Sequence, residues 1–335
     1  MSTAPYTEAW LEGPAKTQFY TRTYVPDAHK SVRAVIVFIH GFAEHVGRYT
    51  HFHPLFTQHG FAVFAIDQRG FGLTGQDVAK RSKGSTYGKT SWKDQMTDIA
   101  WAVEHAKEAF KNIPVFLMGH SMGGAEVLGF AAQDAKSPHK ASVSSILGVI
   151  ATSPLIQQTE PASKLLKWVG AKASIVAPYS LIPAPVKAED LSHDKACNDA
   201  YLADPLIKPS GSLRGISDML TNGDALLTTY YKNWPSSLPV LIVHGTADKV
   251  TSHKASEEFI GKLSVTDKKI SLFEGGFHEL QNEPDGVKEK LADEVVHFIE
   301  SHLPPTISVT EAEPVVEGPS IDEHPSSDAQ AAAKL

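Results

Sequence analysis

The chain has 335 residues, of which 42% are hydrophobic and 21% charged, with a formal net charge of -7. These are the proportions of a globular, enzyme-sized chain, and a negative balance with no basic stripe excludes a nucleic-acid-binding protein. The single cysteine, Cys197, rules out an intramolecular disulfide and a multi-cysteine zinc site, and fits a reducing compartment.

The opening residues, MSTAPYTEAWLEGPAK, lack the apolar core of a secretory signal. No uncharged run reaches the roughly 18 residues of a membrane helix, so the chain is expected to be soluble or peripheral at most. Apolar, β-branched runs then recur at 33–40, 61–67, 114–120, 145–153, 239–245 and 269–275. Runs this apolar suit strands buried on both faces, which a parallel sheet wrapped by helices provides. Helical periodicity fills the gaps at about 91–111, 121–134, 254–263 and 286–301. The fold class is therefore α/β, a mostly parallel central sheet flanked by helices.

One gap is too long for a simple crossover. More than eighty residues separate the strand ending near Ser153 from the one starting at Pro239, and 155–222 reads as an inserted helical cap. That leaves a core built from 15–154 and 223–302. Within the cap, Leu165, Leu166, Trp168, Val169 and Ile175 recur at helical spacing beside Lys164, Lys167 and Lys172. Such a stripe either docks on a lipid surface while the lysines snorkel or buries itself over the pocket. Residues 303–335, rich in Pro, Ser, Ala and acids, are expected to be a disordered tail. It ends in Ala333-Lys334-Leu335, similar to the Ser-Lys-Leu address read by the peroxisomal import receptor.

The chemistry is carried by Gly119-His120-Ser121-Met122-Gly123, a G-x-S-x-G pentapeptide. A chain of this length yields roughly 0.1 chance matches, so context matters: a buried strand precedes the motif and a small-residue helix follows it. That is the setting of a nucleophile elbow, whose sharp turn needs flanking positions without side chains, here Gly119 and Gly123. The triad order of such a fold is serine, acid, histidine. Asp248, after the strand VLIVHG, is the acid, since Asp218 and Asp224 fall in the cap or its exit helix and Asp267 precedes a strand. His278, in FEGGFHEL, is the base because it alone of the 16 histidines directly follows the last apolar strand. Backbone N–H groups of Met122 and Phe42 form the expected oxyanion hole, with His40-Gly41 closing the earlier strand.

At this point the sequence resembles the monoacylglycerol lipases, over roughly residues 15–300. The likeness rests on HGFAEHVGRY at 40–49, LSHDKACNDAYLADPL at 191–206 and HGTADKVT at 244–251. It implies that Glu44 and Arg48 line a polar glycerol pocket, that His45 steadies the loop, and that Tyr201 approaches from the cap. Read from the residues alone, Glu44, His45 and Arg48 suit a solvated helix face better. DQRGFGLTG at 67–75 departs from the usual lipase form towards one common among esterases.

The expected function is hydrolysis of monoacylglycerols to fatty acid and glycerol through an acyl-enzyme. The alternatives are a general carboxylesterase or lysophospholipase and, in a different class, a catalytically silent hydrolase-fold binding protein. Ser121 at the elbow excludes the aspartate chemistry of epoxide and haloalkane hydrolases. The scattered histidines offer no H-x-x-x-H pair, so no metal or other cofactor is implied. The expected partner is a lipid ester, with peripheral contact to a membrane or lipid droplet through the cap. The expected location is intracellular: cytoplasm, lipid-droplet surface or peroxisome.

Overall fold

A computed structural model describes residues 4–27, 29–160 and 172–304. Its centre is an eight-stranded sheet with strand order β1-β2-β4-β3-β5-β6-β9-β10. The strands are β1 Thr7–Glu12, β2 Gln18–Tyr24, β3 Ala34–Ile39, β4 Phe61–Ile66, β5 Val115–His120, β6 Gly148–Thr152, β9 Val240–Gly245 and β10 Lys268–Phe273. β1 and β2 pair antiparallel, as do β2 and β4; the six strands from β4 to β10 in spatial order run parallel.

The apolar runs form strands because each sends alternate residues into two separate cores. Val35, Val37 and Ile39 of β3 and Val115 and Leu117 of β5 face one core, where Ile99, Val103, Val127, Leu128 and Phe259 cover the sheet. Ile36 and Phe38, with Phe116 and Met118, face the other, closed by Phe56, Leu291, Val295 and Ile299. Period-two side chains on a sheet covered on both faces leave no polar position in the middle of the inner parallel strands, whereas the edge strand β10 keeps Lys269 and Leu272 exposed. The covering helices are Trp92–Ala109, Met122–Ala131 and His253–Lys262 on the first face, and His53–Thr57 and Val287–His302 on the second.

Two boundaries differ from the sequence reading. The core begins at Thr7, not 15, because β1 and β2 extend the sheet; β1 lies at its edge with mostly exposed side chains and gives no apolar run. The cap's end at 222 falls inside the helix Leu213–Thr228, which starts in the cap and sinks Leu226 and Leu227 into the first core. The cap also holds the helix Lys195–Ala203, capped by Asp194, and a small antiparallel pair, β7 Leu181–Pro183 with β8 Ser210–Ser212. Leu165, Leu166, Trp168 and Val169 of the amphipathic stripe, and the tail from residue 305 with its terminal Ala333-Lys334-Leu335, lie outside the described residues. No helix among the described residues is long and apolar enough to cross a membrane.

Candidate active site

Ser121 sits between β5 and the helix Met122–Ala131 with φ 54° and ψ -117°, a left-handed conformation that costs a non-glycine residue about 1–3 kcal/mol. The flanking glycines make the turn feasible. A Cβ on Gly119 would overlap the Gly123 carbonyl, and one on Gly123 would overlap the carbonyls of Ile39 and His40. The second overlap shows why the elbow and the loop after β3 lie side by side: the helix start presses directly on the end of β3.

The three predicted triad residues converge although they are far apart in sequence. The Ser121 hydroxyl donates to His278 Nε2 at 3.0 Å, and His278 Nδ1–H donates to Asp248 Oδ2 at 2.8 Å. Asp248 is braced from its own loop: Oδ1 accepts from the N–H of Val250 at 2.7 Å and of Thr251 at 2.9 Å, and Oδ2 from the Thr251 hydroxyl at 2.8 Å. Burial penalises the Asp248 carboxylate, yet His278 and His244 hold its pKa well below the usual range. Burial likewise opposes charge on His278, but the Asp248 carboxylate outweighs it and the pKa is raised.

The predicted oxyanion donors flank Ser121. Met122 opens the helix after it, and Phe42 follows Gly41, where a Cβ would come within 3.1 Å of Ser121 Cβ. No acceptor among the described residues meets the N–H of Phe42 or of Met122. Free N–H groups at this point can receive the negative charge of a tetrahedral intermediate. His40 fixes the loop from behind: its Nδ1–H donates to the Gly41 carbonyl at 2.8 Å and its Nε2 accepts from the Gln68 N–H at 2.9 Å. Burial lowers the His40 pKa to about 4, so it stays neutral in that role. The 67–75 segment buttresses the same loop, with Asp67 accepting from the N–H of Val46 and Phe71 packing edge-on against Phe42.

Glu44 and Arg48 are not a solvated face. Their side chains are largely buried in a charge cluster beside Ser121 and His278, lining one pocket with them. Glu44 Oε1 accepts from the Gly41 N–H at 2.5 Å and the Tyr49 hydroxyl at 2.6 Å, while Oε2 accepts from Arg48 at 2.7 Å. The other side of Arg48 is held by Glu279, which takes two parallel hydrogen bonds of 2.5 and 2.7 Å. Despite burial, Arg48 holds the Glu279 pKa down to about 2. Tyr201 lies beside this cluster, with the Arg48 guanidinium 5.0 Å from its ring centre. His45 ties the loop to the cap, donating from Nε2 to Asp204 at 2.8 Å and accepting on Nδ1 from the Gly47 N–H at 3.1 Å.

Glu279, His120 and His244 were missed by the sequence reading. Glu279 directly follows His278, so a carboxylate next to the base was the available signal. His120 occupies the variable position before Ser121, 4.9 Å from His278 between ring centres, and burial lowers its pKa to about 3. His244 is the penultimate residue of the VLIVHG strand, four residues before Asp248. Above the polar floor, the pocket wall is apolar, with Leu155, Val186, Ile216, Met219 and Val250. No group of three His, Cys, Asp or Glu among the described residues could hold a metal ion.

A family model described as serine aminopeptidase, S33 matches residues 30–285. A protein of Schizosaccharomyces pombe is 33% identical over 304 residues, covering 90% of this chain and 76% of its own. The monoglyceride lipase of Saccharomyces cerevisiae is 30% identical over 301 residues, covering 87% and 90% respectively. The crystal structure of a soluble variant of monoglyceride lipase from Saccharomyces cerevisiae, in complex with a substrate analog, superposes with a TM-score of 0.76 at 26% identity over 91% of this chain and 96% of that one. The chain thus belongs to the serine aminopeptidase S33 family and, within the α/β-hydrolase fold, to the family of the monoglyceride lipases.

Proposed function

We propose that this protein is a serine hydrolase that cleaves monoacylglycerols to fatty acid and glycerol, with Ser121, Asp248 and His278 as its catalytic triad. The observation that carries the reading is the unbroken chain of hydrogen bonds from Ser121 through His278 to Asp248 at the floor of a pocket with one polar end. His278 takes the Ser121 proton as Oγ attacks the ester carbonyl, and the N–H groups of Phe42 and Met122 receive the oxyanion. Collapse of the intermediate expels glycerol, protonated by His278, and leaves the acyl-enzyme. Water, activated by the same histidine, then releases the fatty acid.

The polar end supports glycerol as the leaving group. Arg48 uses three of its five N–H donors on Glu44 and Glu279, so two remain for hydroxyls. The apolar wall suits an acyl chain. An aminopeptidase would need a pocket carboxylate to hold its substrate's ammonium group, and here both candidates, Glu44 and Glu279, are taken up by Arg48. The exposed Ile175, Val176 and Leu181 of the cap support contact with a membrane or lipid-droplet surface, from which such a substrate would be drawn.

The test is release of glycerol and fatty acid from 1- and 2-monooleoylglycerol, alongside p-nitrophenyl butyrate and lysophosphatidylcholine. Preferred turnover of monoacylglycerol supports the reading. Turnover confined to the nitrophenyl ester would make the protein a general esterase, preference for the lysophospholipid would make it a lysophospholipase, and inactivity on all three would indicate a silent binding protein.

A further inference from the structure

The triad acid is held by a second histidine. His244 is fully buried at the end of β9, and its Nε2 lies 3.1 Å from Asp248 Oδ2 and 3.1 Å from the Thr251 carbonyl oxygen. A carboxylate and a carbonyl only accept, and the Thr251 hydroxyl, 3.2 Å from Nε2, gives its one proton to Asp248 Oδ2, so Nε2 carries the proton. Nδ1 of the neutral ring is then an acceptor, and the buried Ser256 hydroxyl lies 2.9 Å from it in the helix His253–Lys262. The resulting relay runs from Ser256 through His244 to Asp248, and the same Oδ2 takes the Nδ1–H of His278.

We propose that His244 is a positioning residue for Asp248: its Nε2–H, oriented by Ser256, shares Oδ2 with His278 and so moderates how strongly the acid holds the catalytic imidazolium. The inference rests on the assignment of Ser121, Asp248 and His278 as the triad. The physical reason is competition at one oxygen. Each donor draws charge from Oδ2, so removing the His244 donor leaves more negative charge facing His278 and favours its protonated form. Protonated His278 cannot accept the serine proton.

The other titratable and charged groups around His278 stay in place when His244 is changed. They are Glu279 beside it, His120 from the elbow, and Glu44 with Arg48 from the loop after β3. His244 itself faces Asp248, His278 through that carboxylate, and the His253 ring at 6.3 Å. A change in the acid limb of the pH profile therefore reports on the shared oxygen.

The experiment is kcat and KM for p-nitrophenyl butyrate from about pH 5 to 9, with the full chain, in wild type, His244→Leu, His244→Gln and Ser256→Ala. The expected result for His244→Leu is a loss of about tenfold or more in kcat with KM little changed, and an acid limb about half a unit higher. Glutamine, whose amide can donate to Oδ2, should restore most of both. Ser256→Ala, which frees the tautomer without emptying the site, should move the limb in the same direction by less, and it carries the test if the leucine variant does not fold. An active wild type with the limb unmoved in His244→Leu and Ser256→Ala, or a glutamine variant as impaired as leucine, would overturn the inference and leave the triad standing. An inactive wild type would instead overturn the triad assignment, and this inference with it.

Discussion

Two buried charge clusters meet at Ser121, and they are built on opposite principles. On one side, Asp248 is surrounded by donors, two of which are imidazoles, so the cluster can pass a proton to and from the serine. On the other, Glu44 and Glu279 grip Arg48, a cation that does not titrate in the working range, so the cluster only fixes geometry and field. Under the proposed function, the difference separates chemistry from recognition. The proton-moving cluster sits on turns after β5, β9 and β10, where the parallel sheet delivers its strand ends. The fixed cluster joins the loop after β3 to Glu279 on the turn after β10 and is completed by Tyr201 from the cap.

The largest effect should come from the first cluster without disturbing the second. Asp248→Asn keeps the shape but removes the acceptor that selects the His278 tautomer, so kcat should fall by about 10⁴-fold, while the circular dichroism spectrum stays close to wild type. Retained activity would show that Asp248 is a structural residue of its loop.

The second cluster should break in the opposite way. Arg48→Met leaves two buried carboxylates facing each other, and loss of one partner of a buried ion pair costs about 3–5 kcal/mol, which urea denaturation would read. Its pH dependence should also invert. In wild type the depressed Glu279 pKa, about 2 against an ordinary 4.5, contributes stability that is present above 4.5 and lost as pH falls towards 2. Without the cation, the folded carboxylate pKa values rise above their unfolded values, so the variant should lose stability as pH rises.

A smaller effect sharpens the contrast. His278 is pulled above its ordinary pKa of 6.5 by Asp248 in spite of burial, and only its neutral form accepts the serine proton. The acid limb of kcat/KM should therefore lie above pH 6.5, activity falling as pH drops through it, with no matching limb in stability from the arginine cluster. The smallest effect is on stability alone: Ser121→Gly, inactive for want of its nucleophile, should be more stable to urea by about 1 kcal/mol, because glycine accepts a φ of 54° at little cost beyond its own chain entropy.

Legibility in the sequence followed how local each signal was. The five inner parallel strands stand out because both faces are buried, and the elbow because strand, glycines, serine and helix are contiguous. β1 was invisible because an edge strand with exposed side chains has no apolar run. The resemblance pointed to Glu44 and Arg48, but their burial could not be read locally, since Glu279 is 231 residues away from Arg48. His244 was hidden for a different reason. On a straight strand, residues four apart never meet, and only the turn after β9 folds Asp248 back onto its ring.

The central claim, that Ser121 carries the acyl group, is tested most directly by acid-quenching the enzyme during turnover of a monoacylglycerol and locating the acyl adduct by mass spectrometry of its peptides. The account predicts the acyl mass on Ser121, an accumulation that Ser121→Ala abolishes together with turnover. An adduct on another residue, or turnover that survives Ser121→Ala, would contradict it.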